Sequence, residues 1–243
     1  MAAVLEFLGR RSVERILCLG DLVGFNADSN ECIQMARRGA VECIAGNHDL
    51  ISIGKLDFGR CSNKAIYALK RTRKDLTTDS REYLGSLQRS RIYENKFILV
   101  HGGLRDVQQY VNDAGAVREN LRYLRELYAA VSVCFFGHTH SPKLYEVTGD
   151  AIEERDTRST IRLAPGRVYF INPGSVDASR KSDHKMAEFG IYDSSADTME
   201  FHRLPYDHRA VEAKAVKGGY RIDPLSDLLS TLRKRLRSLT GGR

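Results

Sequence analysis

The chain has 243 residues, 42% of them hydrophobic and 28% charged, with a formal net charge of +7. That length supports one domain with a real core, the composition is ordinary for a globular protein, and no apolar run reaches the roughly 18 residues needed to span a bilayer. Six basic and two acidic residues fall in 221–243 and supply +4 of the charge, so the near-neutral remainder argues against a nucleic-acid footprint.

Predicted elements alternate through the first half. Residues 15–19 read as a short buried strand that Gly20-Asp21 ends. Asp28 or Ser29 caps a helix that Gly39 terminates. Residues 41–45 form the next strand, ending at Gly46-Asn47. Helical spacing follows over 62–74 and again over 79–87. Residues 96–100 are a strand ending at His101, residues 114–128 a helix with Val117, Leu121 and Leu124 on one face, and 131–136 a strand ending at Gly137-His138. The second half shows short strands at 144–147, 159–163, 168–171, 189–192 and 198–203, joined by Gly, Asp, Pro and Asn turns, with no helical period before the tail. Two packed sheets with helices outside are expected.

The five cysteines form no Cys-x-x-Cys pair, which points to a reducing, cytoplasmic setting, with Cys18, Cys43 and Cys134 as small core residues. The N-terminus lacks the basic lead and apolar run of a signal peptide. Residues 1–220 are expected to form one domain and 221–243 a basic amphipathic helix, its leucines on one face and Arg233, Lys234, Arg235 and Arg237 near its end. That helix reads as docked on the body; contact with a partner or a membrane surface is the alternative.

The chemistry gathers at the strand ends. In an open α/β sheet ligands bind beyond the carboxyl ends of the strands, and four successive runs end in Asp21, Asn47, His101 and His138. Carboxylate, amide oxygen and imidazole form a mixed set suited to a divalent metal. His138 and His140, two apart, would point the same way in an extended segment and could serve two adjacent ions. His48, beside Asn47, could donate a proton or stabilise charge at a leaving oxygen, with Asp49 holding its ring in one tautomer. Arg105 could face a phosphate, or pair with Asp106 or another carboxylate. Each residue alone has an ordinary explanation as a cap, turn or strand end; four in order, each at a strand end, are improbable by chance.

The motifs Leu19-Gly20-Asp21-Leu22-Val23-Gly24, Asn30-Glu31-Cys32-Ile33, Gly46-Asn47-His48-Asp49, His101-Gly102-Gly103-Leu104-Arg105-Asp106, Gly137-His138-Thr139-His140-Ser141-Pro142 and Asn172-Pro173-Gly174-Ser175-Val176 together resemble the calcineurin-like metallophosphoesterase superfamily, and within it the small phosphodiesterases of the YfcE type and related phosphatases. The resemblance implies a four-layer α/β/β/α sandwich. It implies Asp21 as a bridging carboxylate, Asn47, His101 and His138 completing one metal site, His140 on the other, and His48 as the transition-state residue, with Asp49 beside it. The cofactors would be divalent ions, two in the complete family site; manganese, iron, nickel and zinc all suit nitrogen and oxygen ligands.

The family pattern opens with a strand ending in Asp-x-His, and no Asp-x-His precedes Gly20-Asp21. The expectation is therefore a sandwich with its first strand missing, residues 1–8 standing in the helix that follows it, and a second metal left with Asp21 and His140. The function expected is hydrolysis of a small phosphomonoester or phosphodiester by a metal-activated hydroxide, impaired in this chain. The alternative is a non-catalytic metal-binding scaffold or regulatory protein of the same fold.

Overall fold

The structure is a computed structural model, and it describes residues 1–177 and 184–221. The expected tail helix lies outside the described residues apart from Arg221. Among the described residues no helix is long and apolar enough to cross a membrane.

The centre is a six-stranded sheet. Its strands are β3 (Ser90–Tyr93), β4 (Phe97–Val100), β5 (Val133–Phe135), β9 (Val168–Asn172), β6 (Lys143–Thr148) and β7 (Ala151–Arg155), in that spatial order. The β4–β5 and β5–β9 pairs are parallel and the outer pairs antiparallel. Both faces of the inner strands are covered, which explains why they read as unbroken apolar runs. Ile98, Val100, Cys134, Phe136 and Phe170 face Val117, Leu121 and Leu124 of helix α6 (Ala114–Leu127). The alternate residues Leu99, Val133, Phe135, Tyr169 and Ile171 face the other way, onto Ile44, Ile161 and Met199. The side-chain period of two thus divides one sheet between two cores.

Opposite α6 lie two smaller sheets. A parallel pair joins β1 (Leu17–Cys18) to β2 (Glu42–Cys43), with Cys18 in register with Cys43. A three-stranded sheet has the order β10 (Met186–Asp193), β11 (Thr198–Pro205), β8 (Ile161–Arg162). The outermost layer is helical. In α1 (Ala2–Gly9), Val4 and Leu8 pack on Ala187 and Phe189 of β10. In α2 (Ser29–Arg38) and α5 (Thr78–Ser86), Ile33, Ala36 and Leu84 cover Cys43 and the β1–β2 pair. Helix, sheet, sheet and helix make the four layers. The second sheet layer is divided into two hydrogen-bonded units, where the sequence suggested one continuous sheet.

Asp28 stands at the N-cap of α2 as expected, without a side-chain cap bond. Ser62 accepts from the Ala65 amide to start α4 (Asn63–Asp75), and Thr77 accepts from Ser80 to start α5. Two helices went unread. The first is α3 (Asn47–Ser52), a six-residue turn of helix directly after β2. The second is α7 (His208–Lys217), capped by Asp207, whose one buried residue is Ala215. With so little apolar surface to bury, α7 lacks the stripe that marks an amphipathic helix.

Candidate metal centre

Strands β1, β2, β4 and β5 deliver their C-terminal residues to one place, although β1–β2 and β4–β5 belong to different sheets. The ends of β1 and β2 meet tightly. A Cβ on Gly46 would lie 2.2 Å from Asp21 Oδ1, and one on Gly20 would lie 2.4 Å from the Gly46 amide nitrogen. Glycine at both strand ends lets the Asp21 and Asn47 segments approach. Asp21 itself sits at φ 56°, a left-handed backbone that costs energy outside glycine.

Asp49 pins that conformation. Its side chain is fully buried, and its Oδ2 accepts from the backbone amides of Asp21 and Gly46, each at 2.8 Å, while Oδ1 accepts from Val23 at 3.3 Å. It caps α3 and holds the Asp21 loop to it. Burial, and after it the charge of Asp21, push the Asp49 carboxyl up to about 7, against the opposing pull of the backbone amides of Gly46 and Asp21. Asp21 in turn accepts from the His48 amide at 2.9 Å. Burial raises the Asp21 pKa, but the charges of His101 and His48 and the hydrogen bonds from His101 and His140 outweigh it, holding the carboxyl well below the usual range.

His101 is the pivot. Its Nδ1 lies 2.6 Å from the Leu19 carbonyl oxygen, which can only accept, so Nδ1 carries the proton. Its Nε2 then faces Asn47 Oδ1 at 3.0 Å and Asp21 Oδ1 at 3.3 Å. Three acceptor atoms converge, and they repel unless something positive lies among them: a proton on Nε2 or a cation. Burial lowers the His101 pKa, and the Asp21 charge together with the Leu19 hydrogen bond more than reverses this. These groups favour a proton on Nε2, the proton that a bound metal would displace.

His138 completes the cluster. Its ring centroid is 5.2 Å from that of His101, and ligand atoms of Asp21, His101 and His138 lie within 4.8 Å of one another. His138 Nε2 is buried and has no hydrogen-bond partner. Burial first, then the His101 charge, lower the His138 pKa to about 4. At neutral pH this is a neutral imidazole with a buried nitrogen that no protein group satisfies, the state a metal ligand requires. The residues present fit a divalent cation. His140 Nε2 is 4.0 Å from Asp21 Oδ2, on the second oxygen of that carboxylate.

The expectation that His138 and His140 share an extended segment is corrected. Both sit at φ 60°, in a tight left-handed turn. Asn172 braces the turn from β9. Its Nδ2 donates to the Gly137 carbonyl at 2.8 Å and to Thr139 Oγ1 at 2.7 Å, while its Oδ1 accepts from the Gly174 amide at 2.9 Å.

His48 lies beside the cluster, its ring 4.8 Å from that of Phe25. A Cβ on Gly24 would come 2.5 Å from His48 Nδ1, so Gly24, at φ +127°, leaves room for the imidazole. Asp49 bonds backbone amides, and its hydrogen bonds make it a brace for the loop. Arg105 stands apart. Its guanidinium lies over Tyr123 at 4.0 Å and 3.5 Å from Glu126, and it does not line the pocket above the cluster. The residues that do, besides Asp21, Asn47, His48, His138 and His140, include Phe25, Arg60, Gln108 and Tyr110. Arg60 and Tyr110 lie in loops with no motif around them, so the sequence carried no signal for either.

Comparison with known proteins points to one family. Residues 1–197 match the calcineurin-like phosphoesterase superfamily domain. The chain is 28% identical over 220 residues to the uncharacterized protein MJ0912 of Methanocaldococcus jannaschii, covering 88% of this chain and 86% of that one. Among solved structures it is similar to a metallophosphoesterase from Sphaerobacter thermophilus, with 29% identity, a TM-score of 0.72, and coverage of 90% of this chain and 88% of that one. A hypothetical protein, PH1004 from Pyrococcus horikoshii, shares the fold at 18% identity and a TM-score of 0.69, over 94% of this chain and 91% of its own. The chain belongs to the calcineurin-like phosphoesterase superfamily.

Proposed function

We propose that residues 1–220 form a metal-dependent phosphoesterase that hydrolyses a small phosphomonoester or phosphodiester. Asp21, Asn47, His101 and His138 would hold one divalent ion, and His140, on the far oxygen of Asp21, would reach toward a second. A divalent ion in such a site polarises a phosphoryl oxygen and makes water a nucleophile at neutral pH.

The chain's own residues prepare the site. Asp21 stays ionised because His101 and His48 surround it. The Leu19 carbonyl fixes the His101 tautomer and aims Nε2 at the cluster. His138 stays neutral because it is buried. His48, anchored through its amide to Asp21 and packed on Phe25, would protonate the leaving oxygen or stabilise charge on the phosphoryl group. The observation that carries this reading is the convergence of His101 Nε2, Asn47 Oδ1 and Asp21 Oδ1 beside the unsatisfied His138 Nε2.

The test is turnover of p-nitrophenyl phosphate and bis(p-nitrophenyl) phosphate with added manganese, comparing the protein with Asp21→Ala. Loss of most of the rate in the variant is expected. Equal rates would contradict the reading.

A further inference from the structure

Hydrolysis at this centre has room for a further contribution beside the metal residues and His48. The phosphoryl group carries negative charge that grows on its non-bridging oxygens during the reaction, and a fixed cation aimed at them is the usual protein contribution. Arg105, in the His101-Gly102-Gly103 motif, is turned away onto Tyr123 and Glu126. Among the described residues lining the pocket, Arg60 is the one with a permanent positive charge.

Arg60 is also held. Its Nη1 donates to Asp106 Oδ2 at 2.6 Å and its Nη2 to the Gln108 carbonyl at 2.7 Å. Asp106 accepts from the Gln108 amide at 2.8 Å, and its carboxyl is kept below the usual range, against burial, by Arg60 and that amide. The guanidinium thus ties the segment leading into α4 to the loop that follows His101. Two of its five N–H groups are used in this anchor, leaving three on a side chain that lines the pocket. An anchored guanidinium loses little conformational freedom on binding an anion, the property that favours arginine for phosphate.

We infer that Arg60 is the phosphate-contact residue of this site, and that Asp106 and the Gln108 carbonyl are its positioning partners. The inference rests on the phosphoesterase reading. It assigns substrate-phosphate recognition to the segment between α3 and α4, away from the Arg105 position.

The experiment separates contact from anchoring. Inorganic phosphate binding to the manganese-loaded protein is measured by calorimetry, with KM and kcat for p-nitrophenyl phosphate in parallel, for the wild type, Arg60→Gln and Asp106→Asn. Circular dichroism and thermal melts report whether both variants keep the fold. Arg60→Gln should weaken phosphate binding and raise KM by about tenfold or more, as expected for a lost charged hydrogen bond. Asp106→Asn, whose amide oxygen can still accept from the guanidinium beside the Gln108 carbonyl, should change either by no more than about threefold. Equal losses in the two variants, matched by equal falls in melting temperature, would make Arg60 a strap only and overturn the inference. An unchanged phosphate affinity in Arg60→Gln would overturn it as well. A wild type that neither binds phosphate nor turns over would remove the phosphoesterase reading, and this inference with it.

Discussion

The Asp49 carboxylate lies 2.8 Å from the backbone nitrogen of Asp21, so one buried acid fixes the backbone from which the other reaches the cluster. The two have opposite tasks: Asp21 faces imidazoles and stays charged, while Asp49 faces amides and holds the loop.

Asp49→Ala should therefore fail as a structural variant before it fails as a catalytic one. Truncation leaves three backbone amides without their acceptor in a fully buried position. Orphaned buried donors of this kind cost about 1–3 kcal/mol each, partly recovered by relaxation, so a net loss of about 3 kcal/mol is expected. Urea denaturation of the metal-free protein measures it. A variant with unchanged stability and a reduced kcat would return Asp49 to the role of orienting His48.

Asn172 offers a test at a distance from the cluster. Its two donors brace the Gly137–His140 turn from β9. Asn172→Ala should loosen His138 and His140 and lower divalent-ion affinity by about tenfold to a hundredfold, the effect of losing groups that orient ligands. Competitive titration with a chromogenic chelator reads this directly. Unchanged affinity would show that the turn holds its shape without Asn172.

The His138 pKa predicts a pH dependence for the metal-free protein. An unfolded histidine titrates near 6.5, and burial lowers His138 to about 4 in the fold. Between these values the unfolded chain binds the extra proton, so stability rises with pH across the window. The contribution is fully present above about pH 6.5 and is lost as the pH falls toward 4, amounting to at most about 3 kcal/mol. His138→Gln should flatten the stability profile between pH 4 and 6.5 relative to wild type, measured by denaturant unfolding at each pH. An identical slope in both proteins would contradict the assignment.

The strand ends that meet at the candidate site were legible in the sequence because their residues stand out. Asp21, Asn47, His101 and His138 each follow an apolar run, and the strands feeding His101 and His138 are buried on both faces, which makes those runs continuous. The ligand set was readable as types in order. Its geometry was not. The left-handed backbone at Asp21, His138 and His140 is imposed by contacts between segments: Asp49 on one loop and Asn172 on the other. Local propensity carries no trace of it. Asp49 looked like a partner for the neighbouring imidazole because sequence shows adjacency, whereas α3 turns its side chain back to three amides. Arg60 was missed for a similar reason. It reaches the pocket through a tie to Asp106, 46 positions along the chain, while Arg105, closer to a motif, packs on Tyr123. Helix α7 buries too little to leave a period.

The central claim is that three acceptors and one unsatisfied imidazole nitrogen form a cation site, and calorimetric titration of the metal-free protein with manganese tests it most directly. The account predicts saturable binding, weakened by about tenfold or more in both Asp21→Ala and His138→Ala, each of which removes one proposed ligand. Wild-type affinity in both variants, or no binding by the folded wild-type protein, would contradict it.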